Sequence, residues 1–198
     1  MKYKYSKNQK DILIGLLLGD GYLEYNGFKG TRLQVKQSQQ KKEYVMWLYD
    51  QFAHCVRTKP KQRLDNGQWY FFTRYCEYLT ELRNTFYISN IKIVPDSIAD
   101  LLTSPLTLAI WYMDDGRLDF RKNSHYAYSI STDSFTKEQV VSLQRVLYKR
   151  FGIETSIHMS LCRGKFYPKI YIGKKGRDLF LDLIRPYILE CFSYKLPQ

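Results

Sequence analysis

Cysteine and histidine are sparse in this chain, and neither has the spacing of a metal site. The 198 residues include only Cys55, Cys76, Cys162 and Cys191, with no Cys-x-x-Cys pair. The three histidines show no metal-ligand spacing either. These spacings argue against a zinc site. We expect the cysteines to behave as small apolar residues in a reducing compartment.

Long apolar runs are also missing. No stretch approaches the roughly 20 apolar residues that a membrane helix needs. Residues 1–10 are polar and lack the apolar core of a signal peptide. We therefore expect a soluble intracellular protein with no membrane partner and no removable targeting segment. A bacterial cytoplasm and an organelle matrix both fit, and the sequence does not separate them.

Acidic residues are few relative to basic ones. The chain has 31 Lys and Arg against 19 Asp and Glu, a formal net charge of +12. A domain this basic attracts polyanions, and nucleic acid bound through its phosphates is the favoured partner. A solvated basic surface or a membrane-surface protein would carry similar charge, although the sequence has no convincing basic amphipathic helix.

The sequence contains an internal duplication, which dictates the fold. The segment Leu17–Leu23 is echoed by Tyr112–Leu118, so that position 20 corresponds to position 115, an offset of 95. Each half closes on a Lys-containing segment that ends in proline, Lys92–Pro95 and Lys195–Pro197. We therefore expect two repeats, residues 1–98 and residues 99–198.

Each repeat is expected to contain a helix, two strands, a helix, two strands and a helix. This order is typical of an α+β fold with antiparallel sheets. The first helix of each repeat is apolar nearly all round, which predicts burial. One of these helices ends at Gly19-Asp20-Gly21, and the other ends at Asp114-Asp115-Gly116.

Asp20 and Asp115 are the residues on which a functional interpretation depends. A carboxylate at a helix C-terminus is electrostatically disfavoured, and a nearby cation would relieve it. Mg²⁺ accepts a site with few carboxylates and several waters. If the two helices pack side by side, both carboxylates and the helix-end carbonyls converge on one metal site. Because Asp-Gly is common in turns, a simple turn is the alternative for either residue alone.

The two helix-end segments resemble the motifs of a known family. Leu13–Gly21 (LIGLLLGDG) and Leu108–Gly116 (LAIWYMDDG) are similar to the two LAGLIDADG motifs of single-chain homing endonucleases. The resemblance covers essentially the whole chain, and the second motif and the closing Tyr194–Pro197 look most like the omega-intron endonuclease subgroup. It implies a pseudo-twofold pair of αββαββα units whose four-stranded saddle sheets straddle double-stranded DNA.

The resemblance also implies an activity and its cofactor. The expected reaction is metal-dependent hydrolysis of both DNA strands, giving a staggered cut at a long target site. We expect two or three Mg²⁺ ions, with Mn²⁺ able to substitute, and a monomeric enzyme. By position, the motif residues match the family's metal site, and three further residues match its catalytic surroundings. The metal residues are Asp20, Asp115, Gly19 and Asp114, and the others are Lys92, Lys195 and Gln34.

The second motif departs from the first. Ile110 and Asp114 stand where the first motif has Gly15 and Gly19. Bulk at Ile110 makes the expected helix contact asymmetric, whereas the two glycines allow close approach. Asp114 adds a carboxylate whose role the sequence leaves open between adjusting metal affinity and facing solvent.

Polar residues on the predicted strands are the expected DNA-binding surface, because alternate side chains of a strand share one face. Arg or Lys can read guanine and Gln can read adenine in the major groove. A solvated face of a half-buried sheet is the alternative for each of them. The first repeat supplies Arg32, Gln34, Lys36, Arg57, Lys59, Lys61 and Arg63, and the second supplies Ser129, Ser131, Ser156, His158 and Lys169.

Two other functions fit the same sequence. An intron maturase would keep the fold as an RNA-binding splicing factor for its own intron RNA. A DNA-binding regulator would lack catalysis. The two aspartates favour the enzyme, and the sequence does not reveal a target site.

Overall fold

The computed structural model describes residues 3–121, 125–162 and 164–197. The first repeat contains α1, β1, β2, α2, β3, β4 and α3. Their bounds are Lys7–Leu18, Tyr22–Tyr25, Thr31–Gln37, Lys42–Phe52, Lys61–Gln62, Trp69–Phe72 and Glu77–Phe86. A short hairpin of β5 (Tyr87–Ile88) and β6 (Ile91–Lys92) follows.

The second repeat has the same order of elements. A four-residue helix, α4 (Ile98–Leu101), leads into it, so the expected boundary between residues 98 and 99 falls inside that helix and stays a prediction. The elements α5, β7, β8, α6, β9, β10 and α7 follow. Their bounds are Pro105–Asp115, Gly116–Arg121, His125–Ser131, Lys137–Phe151, Ser156–Cys162, Lys165–Ile172 and Arg177–Ile184, before a final 3-10 segment at Glu190–Lys195.

Local sequence signals set the helix ends. Ser6 and Gln9 form a capping box at the start of α1, and Thr136 and Gln139 form one at α6. Each box satisfies two backbone N–H groups that would otherwise lack a partner. Gly152 ends α6 in the left-handed conformation, with φ of 70°.

Each repeat builds one four-stranded antiparallel sheet. The strand orders are β1-β2-β4-β3 and β7-β8-β10-β9, so the two sheets have identical topology. This confirms the predicted α+β class with duplicated units. The strands that directly follow the Asp-Gly motifs, β1 and β7, are those that the sequence patterns did not single out.

One predicted strand is wrong. The basic residues from Arg57 to Arg63 do not share a face, since only Lys61–Gln62 is a strand. Pro60 has no N–H to donate to a neighbouring strand. Just before this segment, Val56 pairs with Thr73 as an isolated bridge and not as part of a longer strand. The turn that follows has Gly67 in the left-handed conformation, with φ of 68°.

Helices α1 and α5 pack directly against each other at the centre of the molecule. A Cβ atom added to Gly15 would lie 2.6 Å from Ile110 Cβ, and one added to Gly19 would lie 2.6 Å from Asp114 Cβ. Gly15 in α1 and Gly19 at the C-cap of that helix therefore face the two larger residues of α5. Thr107 Oγ1 donates to the Asp11 carbonyl at the opposite end of the contact, 3.0 Å away.

No described helix is long and apolar enough to cross a membrane.

Candidate active site

Both motif aspartates reach the same cavity where α1 and α5 end. Cross-helix hydrogen bonds near both ends of the pair align the helices, so their C-termini meet. The cavity has a volume of about 140 Å³. It is lined by Leu18, Gly19, Asp20, Lys92, Asp115, Ser131, Asp133, Ser134 and Phe135. The convergence of Asp20 and Asp115 agrees with the expectation from the duplication.

Lys92 and Lys195 each bind the C-terminal end of the motif helix in their own repeat. Lys92 Nζ donates to the carbonyls of Gly19 at 2.7 Å and Gly21 at 2.8 Å. Lys195 Nζ donates to the carbonyls of Met113 at 2.7 Å and Tyr112 at 3.2 Å. Positive charge at a helix C-terminus is favourable, so each ammonium group is fixed beside an acidic helix end.

The site holds its charges in a poorly solvated setting. Burial, and then the charge of Asp20, raises the pKa of Asp115 to about 7. Burial, and then the nearby Lys41, lowers the pKa of Lys195 to about 8. Burial also lowers the pKa of Lys92, against the opposing effect of Asp115. The carboxylate charge is therefore incompletely balanced by protein groups.

Asp114 does not line the cavity. It is buried at the helix contact, where its Oδ2 accepts a hydrogen bond from the backbone N–H of Asp20 at 3.0 Å. Burial, followed by the charge of Asp20, raises its pKa to about 8. The structure therefore places Asp114 beneath Asp20, and the solvent-facing alternative for this residue is wrong.

Gln37 is a site residue that the sequence patterns missed. Its Nε2 donates to Asp20 Oδ2 at 2.9 Å and lies 3.5 Å from Asp114 Oδ1. Gln34, expected near the metal, lies instead on the opposite face of β2, because side chains of a strand alternate. Strand register, and not a local sequence pattern, identifies Gln37 as a site residue. Tyr22 pairs with Gln34, which brings the end of β2 beside the end of α1.

The donor set suits a hard cation bound through few protein ligands. Among the described residues, no group of three or more His, Cys, Asp and Glu side chains is placed to hold a metal ion. Asp20 and Asp115 supply two carboxylates at an open cavity, which is compatible with Mg²⁺ that keeps several waters. The Gly19 carbonyl, expected as a further ligand, accepts from Lys92.

The first sheet carries a basic exposed face. Arg32, Gln34 and Lys36 point away from the core, alternating with buried Leu33 and Val35. The remaining four predicted residues are dispersed. Arg57 lines a second cavity together with Arg32, Lys59 is exposed in a loop, Lys61 lies opposite Tyr70, and Arg63 pairs with Asp65 at 2.8 Å.

The second sheet brings its five predicted residues to one face. Lys169 lies opposite both Ser131 and His158, and Tyr171 lies opposite both Ser129 and Ser156. This face also carries basic residues from β7 that the sequence patterns did not identify. Arg117 lies opposite Ser129, and Arg121 lies opposite His125. The exposed faces of both sheets therefore carry basic side chains.

Comparison with known proteins gives this geometry a family. The family model described as the LAGLIDADG DNA endonuclease family matches residues 10–180. The chain belongs to the LAGLIDADG DNA endonuclease family. The match contains both motif helices and both sheets, and it confirms the resemblance seen in the sequence.

Proteins similar to this chain include both endonucleases and maturases. The chain is 31% identical to "Probable intron-encoded endonuclease 1" of Wickerhamomyces canadensis, covering 96% of this chain and 84% of that protein. It is 29% identical to "Cytochrome b mRNA maturase bI2" of Debaryomyces hansenii, covering 96% and 74%. The solved structure of the homing endonuclease I-WcaI bound to its DNA recognition sequence matches with a TM-score of 0.84 and 27% identity, covering 99% of this chain and 88% of that one.

Proposed function

We propose that this protein is a site-specific endonuclease that hydrolyses both strands of a DNA duplex with the help of Mg²⁺. The observation that carries the proposal is the meeting of Asp20 and Asp115, from two separate repeats, in one cavity beside Lys92. A pair of aspartates shared between two repeats can serve two closely spaced phosphodiester bonds. This arrangement supports a staggered cut by a single chain.

The metal ligands are Asp20 and Asp115. Metal ions held there would polarise the scissile phosphate and lower the pKa of an attacking water. Asp114 and Gln37 act on Asp20 rather than on the metal, because they hydrogen-bond its backbone N–H and its Oδ2. The number of ions, two or three, and the substitution by Mn²⁺ remain predictions.

Lys92 and Lys195 stabilise negative charge at the reacting phosphate. Their ammonium groups are anchored on helix-end carbonyls and partly shielded from solvent, so little reorganisation is needed when charge develops. The lowered pKa of Lys195, about 8, also leaves a fraction of neutral amine able to accept a proton at mildly basic pH.

The exposed faces of the two sheets bind the duplex on either side of the cut. A two-stranded ribbon fits the major groove, and the basic side chains of both faces supply phosphate contacts. The DNA-bound structure of I-WcaI, to which the chain is similar along nearly its whole length, supports this partner. The residues assigned here are the twelve strand and loop residues predicted above, with Arg117 and Arg121 added.

A second function, splicing of intron RNA, is favoured by one observation. The maturase of Debaryomyces hansenii is 29% identical over 96% of this chain. Because the acidic pair bears on cleavage and not on RNA binding, the RNA function is tested separately from cleavage.

The decisive experiment is selection of a cleavage site from a randomised duplex library with the purified chain and Mg²⁺. We expect one long site to be cut on both strands by the wild type. The Asp20→Asn and Asp115→Asn variants should bind the selected site but not cut it. Asp182→Asn, at an exposed position of α7 that does not line the cavity, serves as the matched control and should cut like the wild type.

Other results would redirect the assignment. Binding of a specific duplex without cutting under any divalent metal would favour a regulator. Binding of the intron RNA with stimulated splicing, and no DNA cleavage, would favour a maturase.

A further inference from the structure

Arg32 is held in a defined orientation before any ligand binds. Its Nε donates to Glu24 Oε2 at 2.5 Å, and the two residues lie directly opposite each other on β2 and β1. The guanidinium carbon lies 3.9 Å from the centre of the Phe72 ring and 5.1 Å from that of Tyr75. The Nε edge of the guanidinium group is therefore already hydrogen-bonded, and two aromatic rings of the protein lie beside the group.

The remaining edge of Arg32 is free. Within the described part of the chain, neither of its terminal nitrogen atoms has a hydrogen-bond partner. Arg32 lines a cavity of about 690 Å³ on the exposed side of the first sheet, together with Arg57, Phe72 and Tyr75. Two N–H donors are thus left available at a cavity large enough to admit the edge of a base.

Glu24 argues for a base and against a phosphate as the ligand of Arg32. A carboxylate bonded to the arginine repels a nearby phosphate, whereas it leaves hydrogen bonding to a neutral base unimpaired. It also fixes the planar fork of donors, which reduces the entropy lost on binding. The N7 and O6 atoms of guanine match such a fork, and no other base presents two acceptors in the major groove.

The second repeat lacks this arrangement. The equivalent pair, at the 95-residue offset, is Asp119 opposite Ala127 on β7 and β8. The second repeat therefore has an acidic residue at the position of Glu24 but an alanine at the position of Arg32. Among the described residues, an acid-clamped arginine at this strand position is therefore confined to the sheet of the first repeat.

We propose that Arg32 is a specificity-determining residue that reads one guanine in the half-site bound by the first repeat, with Glu24 as its positioning residue. The inference rests on the proposed DNA-binding function. Gln37, at the end of the same strand, contacts Asp20. Arg32 is five residues earlier, about 17 Å along the strand. At about 3.4 Å per base pair, the guanine lies roughly five base pairs from the cut.

The test is a binding selection in Ca²⁺, read position by position, for the wild type and four variants. A bidentate contact to guanine predicts a preference of about 5- to 150-fold over the other bases at that position of one half-site. Arg32→Lys and Glu24→Ala should flatten the preference at that position alone. Glu24→Gln, which retains an acceptor for Nε, should restore most of it.

Arg57→Ala is the matched control, because Arg57 lines the same cavity but is exposed and unpaired among the described residues. It should weaken binding to all sequences alike and reduce the salt dependence by about one counterion. Thermal unfolding of every variant separates loss of contact from loss of fold.

Two results would overturn the inference while leaving the proposed function intact. One is a selected site with no guanine preference three to seven base pairs from the cut. The other is an Arg32→Lys variant that keeps the guanine preference and loses affinity uniformly, which would make Arg32 a phosphate contact. Absence of any sequence-specific DNA binding by the wild type would reject both the inference and the proposed function.

Discussion

Substitution of Gly15 by alanine tests the close contact of the two motif helices. In an exposed helix this change would stabilise the protein by about 1 kcal/mol. Here the new Cβ would lie 2.6 Å from Ile110 Cβ and 2.8 Å from the Thr107 carbonyl oxygen. Carbon atoms in contact normally lie about 3.5–4.0 Å apart, so the helices would have to separate by roughly 1 Å.

The expected effect on stability is a net loss. Overpacking of a well-filled core costs about 1–3 kcal/mol. Except at the lower end of that range, this cost is larger than the gain of about 1 kcal/mol in helix propensity. We therefore expect Gly15→Ala to lower the free energy of unfolding by roughly 1 kcal/mol, the middle of the overpacking cost less the gain in helix propensity. Equilibrium urea unfolding of the wild type and the variant measures this difference directly.

The expected effect on cleavage is larger. Asp20 lies beyond the end of α1, about 7.5 Å along the axis from Gly15, so a shift of α1 also changes the spacing of Asp20 and Asp115. A misplacement of about 1 Å can cost roughly 100-fold in rate. Single-turnover cleavage of a saturated target is the assay.

Gly152→Ala provides the matched control. Gly152 has φ of 70°, and an added Cβ there meets only Leu179 Cδ2 at 3.5 Å. It should cost about 1–2 kcal/mol through backbone strain and leave the cleavage rate unchanged. The reasoning is refuted if Gly15→Ala is as stable as the wild type, or if it loses stability but cuts at the wild-type rate.

Three further predictions follow from the site. Lys195→Met should slow single-turnover cleavage by about 100-fold or more with target binding within a few-fold in a gel-shift assay, because it removes the buried ammonium group on the Met113 carbonyl. Burial raises the pKa of Asp114 from 3.8 to about 8, so the folded protein retains a proton that the unfolded chain releases. Without metal, the free energy of unfolding should therefore fall as pH rises from about 4 to 8, and Asp114→Asn should reduce that fall, as measured by urea unfolding in EDTA. Removal of divalent metal by EDTA should abolish cleavage and leave a measurable complex with the target, because phosphate contacts from both sheets do not require the ion.

Each of these has an outcome that contradicts it. A Lys195→Met variant that binds target weakly but cleaves at the normal rate would make Lys195 a binding residue. Equal pH dependence of stability in the wild type and Asp114→Asn would show that Asp114 is not protonated in the fold. Cleavage that persists in EDTA would exclude a metal-dependent mechanism.

Short-range signals made much of this fold predictable. The capping boxes at Ser6 and Thr136 and the left-handed Gly152 are decided by hydrogen bonds within a few residues. The burial of α1 and α5 follows from apolar residues on every side. The failed strand at Arg57–Arg63 is instructive, because basic residues at every second position do not reveal whether a neighbouring strand is in reach.

The candidate site likewise combines features that the sequence determined with features that depend on the tertiary structure. The sequence alone determined the duplication, the two buried helices and the acidic residue that ends each of them, because these depend on composition and local order. Only the tertiary structure decided that Gln37 rather than Gln34 contacts Asp20, that Asp114 lies beneath it, and that Arg32 is clamped by Glu24. These features depend on strand register and on the contact between two helices far apart in the chain, which set distances and burial that no local pattern encodes.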